Sequence, residues 1–82
     1  MTRDEVLELI RAHLAEELGI DPLRIEPTTR FREDLAVDSL DLYTVIQELE
    51  DTYGISISDE QAIQLQTVEA TVDFVLSHAA DR

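Results

Sequence analysis

Asp38-Ser39-Leu40-Asp41-Leu42-Tyr43-Thr44-Val45-Ile46-Gln47-Glu48-Leu49-Glu50-Asp51-Thr52-Tyr53-Gly54 is the stretch on which the fold turns. Leu42, Val45, Ile46, Leu49 and Tyr53 recur at steps of three and four, which stacks them on one side of a helix. Asp38 is a good N-cap, and Asp41 falls where a carboxylate meets the positive end of the helix dipole. Gly54 accepts the left-handed conformation with which helices commonly end. A helix is therefore predicted from Ser39 to about Tyr53, with the Ser39 hydroxyl exposed at its first turn. Leu40 falls on the outward face with Thr44, Gln47 and Asp51, an apolar spot among acids that suits a contact role.

Upstream, Thr2-Arg3-Asp4-Glu5 has the form of a capping box and should start a first helix. Leu7, Ile10, Leu14 and Leu18 form its inward stripe, Gly19 ends it, and His13 lies outside the stripe as a solvated surface residue. From Ile20 to Val37 no single period holds, and Pro22, Pro27 and Thr28-Thr29 argue for a long ordered loop. Ile20, Leu23, Ile25, Phe31 and Leu35 are read as anchors that pin it across the bundle. Loops beyond ~12 to 15 residues are uncommon in compact domains and often functional, and this one delivers Ser39.

Downstream, Ser58-Asp59-Glu60-Gln61 fits a second capping box, opening a brief segment completed by Ala62, Ile63 and Leu65. Thr67 caps a last helix with Val68, Val72, Val75 and Ala79 inward, Phe74 and Leu76 flanking, and His78 near its C-terminal end. The expected fold is all-α: a small four-helix bundle of three main helices and one short one, with the long ordered loop between the first two. Two Gly and two Pro supply too few turns for a many-stranded β fold.

The 82 residues suggest a single domain over 1–82 with a small core, burying roughly 60% or slightly more of the unfolded surface. The chain has no cysteine, which excludes disulfides, thiolate metal sites and thiol chemistry of its own. There is no basic stretch followed by an apolar leader core, and no apolar run nears the ~20 residues needed to span a bilayer. A cytoplasmic protein without membrane insertion is expected. Nineteen acids against six arginines give a net charge of −13. Residues 1–32 hold seven acids and five arginines, net −2, whereas 33–82 hold twelve acids and Arg82 alone, net −11. Such a field repels nucleic acid and anionic membranes and steers basic protein surfaces toward the chain.

Nucleophilic catalysis at Ser39 would need a base within hydrogen-bond reach and a group to orient it. Neither histidine is near in sequence, G-x-S-x-G is absent, and flanking carboxylates oppose alkoxide formation. Ser39 is read as an acceptor, modified by a partner enzyme that brings its own base and metal. A phosphate-linked group there would lie beside helix N–H groups that favour an anion. No catalytic residue and no metal ligand set is assigned, and no EF-hand loop is present.

Phe31-Arg32-Glu33-Asp34-Leu35, Asp38-Ser39-Leu40-Asp41, Leu49-Glu50-Asp51 with Tyr53-Gly54-Ile55, and Thr67-Val68 together resemble the acyl carrier proteins over nearly the whole chain. That resemblance implies that Ser39 receives 4′-phosphopantetheine from coenzyme A through a holo-carrier-protein synthase, a phosphopantetheinyl transferase. The arm's thiol would then carry acyl groups as thioesters, sheltered between helices. It further implies a non-enzymatic, monomeric carrier that meets acyl transferases, ketosynthases and other acyl-processing enzymes through their basic patches. Asp38, Asp41, Glu50, Asp51 and Asp59 match the family's acidic partner face, with Leu40 as the apolar contact. Fatty-acid-type members usually have Gly-Ala where Ala36-Val37 stand, Glu where Thr44 stands and Met where Gln47 stands. Acidity and Asp-Ser-Leu favour a fatty-acid or polyketide type, and the altered face leaves a related specialised lipid pathway open. Tyr43, on the flank of that face, is expected to pack against the neighbouring loop. The alternative is an acidic interaction domain that binds a basic partner surface and is never modified.

Overall fold

A computed structural model describes residues 2–79, so Arg82 lies outside the described residues. Five α-helices follow in order: α1 (Arg3–Leu18), α2 (Phe31–Leu35), α3 (Ser39–Tyr53), α4 (Asp59–Ile63) and α5 (Val68–Ala79), with a 3₁₀ turn at Pro22–Arg24. The three long helices pack on one another, α1 most extensively on α5. No helix among the described residues is long and apolar enough to cross a membrane.

Helix ends lie where local chemistry puts them. The Thr2 hydroxyl accepts the Glu5 N–H at 3.2 Å, and Asp38 accepts the Asp41 N–H at 2.9 Å. Ser58 and Gln61 complete both halves of a capping box, and Thr67 accepts the Ala70 N–H at 3.0 Å. Gly19 and Gly54 end α1 and α3 at φ +66° and +65°.

The core gathers Val6, Ile10 and Leu14 of α1, Val45 and Leu49 of α3, and Val68, Val72 and Val75 of α5 around Ile25, Phe31 and Val37 from the connecting segment. The α1 face is therefore centred on Val6, with Leu7 and Leu18 only partly buried at its edges. Of the predicted loop anchors, Ile25 and Phe31 are fully buried and Ile20 and Leu35 pack on the rim, but Leu23 is 86% exposed. The 3₁₀ turn, started when the Asp21 carboxylate accepts the Leu23 N–H, rotates that side chain outward. His13 also departs from expectation, being half-buried on α1 with an Nε2 shielded from solvent.

Backbone hydrogen bonds hold the connecting segment in place. Phe31 N–H donates to Gln66 O, Val68 N–H to Thr29 O and Glu69 N–H to Pro27 O, all within 3.0 Å, around a single antiparallel bridge between Arg30 and Thr67. Arg11 on α1 adds a bond from Nε to Ile25 O at 2.8 Å. The chain between α1 and α3 is thus fastened both to α1 and to the start of α5.

Its last turn carries strain. Ala36 ends α2 at φ +56°, with its N–H on Arg32 O and the Val37 N–H on Phe31 O. This is a left-handed (αL) helix ending, which ordinarily takes glycine because a Cβ is disfavoured in that region. Relieving that conflict outweighs the extra chain entropy of glycine. Ala36→Gly is therefore expected to stabilise the protein by about 0.5–1 kcal/mol, a rise of several degrees in Tm by circular dichroism. An unchanged or lower Tm would show that the turn is relaxed.

Candidate functional site

Ser39 is the first residue of α3 and is exposed. Two constraints fix it there. Asp38 caps the helix immediately before it, and the left-handed turn at Ala36 with buried Val37 sets the path by which the chain arrives. Among the described residues the hydroxyl has one side-chain partner, accepting from Nη2 of Arg32 on α2 at 2.7 Å. That arginine went unremarked in the sequence, since a separation of seven across a turn matches no helical neighbour rule. A guanidinium has no lone pair to take a proton, so Arg32 cannot act as a base toward Ser39.

Neither histidine is bonded to Ser39. Nδ1 of His78 lies 2.9 Å from Phe74 O while its ring stacks on Phe74, and His13 lines a small cleft with Glu17, Leu18, Asp41 and Thr44. Ser39 is presented to solvent with a cation at its oxygen and, among the described residues, no hydrogen-bonded base.

Beside it opens a groove of about 390 Å³, lined by Phe31, Arg32, Leu42, Ala62, Ile63 and Leu65 among others. Its walls are α2, the first turns of α3 and the α4 segment. Leu42 stands one turn after Ser39, and Arg32, which bonds the hydroxyl, lines the same groove together with Arg30, Glu33 and Gln66, so the recess is part apolar and part polar. Ile63 is 70% exposed at its edge.

The acids predicted to form a partner face divide into two groups. Asp38 and Asp51 are exposed, Asp41 is half-exposed, and Leu40 is 78% exposed between Asp38 and Asp41. Glu50 and Asp59 have tasks within the chain. Glu50 is half-buried and accepts the Ile57 N–H at 2.9 Å, holding the turn after α3, and Asp59 accepts the Tyr43 hydroxyl at 2.7 Å. Tyr43 therefore stays over half exposed and latches α3 to α4 through its hydroxyl, where loop packing was expected. The bond to Asp59, then the charge of that carboxylate, pushes the phenol pKa up.

Asp41 is less comfortable than its place near a helix N-terminus suggests. Desolvation first, and then the charge of Asp38, hold its carboxyl above the ordinary aspartate value. With the folded pKa raised, the native state binds the proton more readily than the unfolded chain. Stability is then greatest below the unfolded pKa and falls as pH rises through the raised one. Asp41→Asn is expected to raise Tm at pH 7, with the gain vanishing in acid near pH ~3, where aspartates are protonated. An equal gain at both values would trace the effect to packing.

A family model described as a phosphopantetheine attachment site matches residues 8–75. An acyl carrier protein of Rubrobacter xylanophilus is 46% identical over 78 residues, covering 95% of this chain and 96% of its own length. Another, from Thermosynechococcus vestitus, is 40% identical over 80 residues, covering 98% and 99%. Among solved structures, an acyl carrier protein from Enterococcus faecalis superposes with a TM-score of 0.80 at 35% identity, covering 95% of this chain and 99% of that one.

Proposed function

The chain belongs to the acyl carrier proteins, a family of carriers rather than enzymes that hold phosphopantetheine, and on that premise we propose that Ser39 is where the arm is attached. The observation that carries this reading is an exposed hydroxyl at the head of α3, bonded to a guanidinium and, among the described residues, to no base, beside a groove whose apolar side is formed by Phe31, Leu42, Ala62, Ile63 and Leu65. The residues present fit the group: an accessible oxygen to bond phosphorus, a cation beside it for the phosphodiester charge, and a recess for an acyl chain.

In attachment, Ser39 Oγ forms the new bond to the phosphorus of coenzyme A, adenosine 3′,5′-bisphosphate leaves, and the serine proton passes to a base of the transferase. Once bound, the arm supplies a thiol on which acyl groups ride as thioesters, which this cysteine-free chain cannot provide itself. Delivery is to enzymes of fatty acid, polyketide or related specialised lipid synthesis whose surfaces are basic. The contact face centres on Leu40 with Asp38, Asp41 and Asp51, while Glu50 and Asp59 chiefly hold α3, the following turn and α4 together. Thr44 and Gln47, both exposed on α3, are the positions that would tune which partners dock.

Intact mass after incubation with coenzyme A and a phosphopantetheinyl transferase tests the attachment. Gain of one arm is expected, and no gain would return the chain to the class of unmodified acidic interaction domains. The contact face is tested in the same assay. Leu40→Ala removes an exposed apolar anchor, and a central contact of this kind costs about 1–2 kcal/mol when truncated. A five- to thirtyfold fall in transferase kcat/KM is expected with unchanged helix content, and wild-type kinetics would remove Leu40 from the interface.

A further inference from the structure

Of the five arginines among the described residues, Arg24 and Arg32 have no carboxylate partner, and of these two Arg32 alone directs its guanidinium to a side-chain hydroxyl. In a chain with 19 acids and six arginines, cations should be drawn into ion pairs, and around α2 they are. Arg30 pairs with both Glu33 and Asp34, and its backbone N–H also donates to the Asp34 carboxylate at 2.8 Å. Arg3 pairs with Asp73 and Arg11 with Glu8. Arg32, on the same short helix as Glu33 and Asp34, has no carboxylate partner among the described residues, and its one side-chain hydrogen bond goes to Ser39 Oγ at 2.7 Å. The acids nearest in sequence are already committed to Arg30, and those flanking Ser39 include Asp38, whose oxygen caps α3. A guanidinium is thus held on a neutral hydroxyl in the middle of an anionic surface.

We infer that Arg32 is a phosphate clamp, binding the phosphodiester formed at Ser39 and steering the arm toward the groove between α2, α3 and α4. The inference rests on Ser39 being the attachment position. After attachment Oγ becomes an ester oxygen and a poor acceptor, while the single negative charge spreads over the two non-bridging oxygens on the adjoining phosphorus, two bonds from Oγ. A guanidinium already 2.7 Å from Oγ reaches one of them with a small side-chain rotation, exchanging a neutral acceptor for an ionic one. The planar fork of arginine can engage a phosphate through two N–H groups, which lysine cannot imitate. Arg32 also lines the groove, so the same contact tilts the root of the arm toward the recess formed by Phe31, Leu42, Ala62, Ile63 and Leu65. The pair is exposed and therefore salt-sensitive. It biases the arm between inward and outward orientations without locking it, by up to about fivefold, the range that an exposed ion pair covers.

The test uses the intact holo protein, with its arm and the Ser39 linkage verified by mass, as wild type, Arg32→Gln and Arg32→Lys. In wild type the phosphorus resonance should move between low salt and about 1 M salt, where the Debye length falls to ~3 Å. In Arg32→Gln it should sit at the wild-type high-salt position throughout, and Arg32→Lys should respond to salt more weakly than wild type. With an octanoyl thioester loaded, cleavage by hydroxylamine at low salt should be up to about fivefold faster in Arg32→Gln than in wild type. A wild-type resonance indifferent to salt overturns the clamp without recourse to any variant. Equal cleavage rates in folded wild type and Arg32→Gln overturn the steering. If wild type takes no arm, the attachment reading fails and the clamp falls with it, whereas an arm attached with identical phosphorus spectra removes the clamp alone.

Discussion

Ser39→Ala is expected to abolish arm attachment completely, with no mass gain after incubation with coenzyme A and a transferase, and to leave the fold unchanged. These two halves separate because the side chain has no structural duty beyond one exposed bond. The helix is capped by Asp38, whose carboxylate takes the Asp41 N–H, and that bond survives the substitution. Alanine is also the best helix former for a first-turn position. What disappears is the oxygen and the bond it accepts from Arg32, on a surface where water replaces the lost partner. The change in stability should stay within about 0.5 kcal/mol, as for surface sites without special roles. Three of the other hydroxyls are tied to the backbone at helix starts or turns. Ser58 is engaged in its capping box, and Thr67 and Thr29 accept backbone N–H groups. A mass gain in Ser39→Ala equal to that of wild type would move attachment elsewhere and dissolve the argument built on Arg32 and the groove. A loss of attachment accompanied by unfolding would show that the hydroxyl is structural after all.

The parts of this fold that were legible beforehand are those whose causes are local. Each long helix has its beginning written within four residues, by Thr2, Asp38 or Thr67, and the glycines at 19 and 54 mark two of the ends. The inward faces of α3 and α5 follow from periodicity over three or more turns, so Val45, Ile46, Leu49, Val68, Val72, Val75 and Ala79 lie where spacing put them. On α1 the spacing was equally compatible with a face one residue earlier, and only the packing of α5 and α3 decides for Val6 over Leu7. The five residues of α2 give less than two turns of pattern, and its left-handed ending falls on alanine, so neither the helix nor its stop announces itself. Leu23 was misjudged because an apolar residue in a loop is ambiguous until the 3₁₀ turn fixes its direction. At the site the hydroxyl was legible and its environment was not. Ser39 meets Arg32 across the turn, Tyr43 meets Asp59 across a loop, and the groove is assembled from three segments distant in sequence. Contacts of that kind are properties of the assembled fold, and no single-sequence period encodes them.

Phe31→Ala should have the largest effect on stability. Phe31 is 1% exposed, heads the fully buried side chains by size, and is held from both sides: its N–H donates to Gln66 O and its carbonyl accepts from Val37 N–H. Removing the ring takes apolar contact from all three long helices' shared core and leaves a void beside a groove the same residue already lines. Phenylalanine truncations in cores cost about 3–5 kcal/mol. A chain of 82 residues has roughly 4–12 kcal/mol to lose, at ~0.05–0.15 kcal/mol per residue. The variant would therefore forfeit about a quarter or more of the total, and Tm should drop by tens of degrees at ~4–8 °C per kcal/mol for a domain of this size. Phe31→Leu, which keeps most of the volume, should cost markedly less. Urea unfolding followed by circular dichroism distinguishes the cases, since the midpoint should fall with little change of slope if only the core is weakened. The consequence reaches the site, because Phe31 fixes the α2 turn that carries Arg32 to Ser39. A Phe31→Ala protein that still folds in the cold should take the arm more slowly than wild type, while Ser39 itself is untouched. A penalty below about 0.5 kcal/mol, the range of ordinary surface changes, would mean that the connecting segment is held by its backbone bonds to Gln66 and Thr29 alone, and that the groove owes nothing to the ring that lines it.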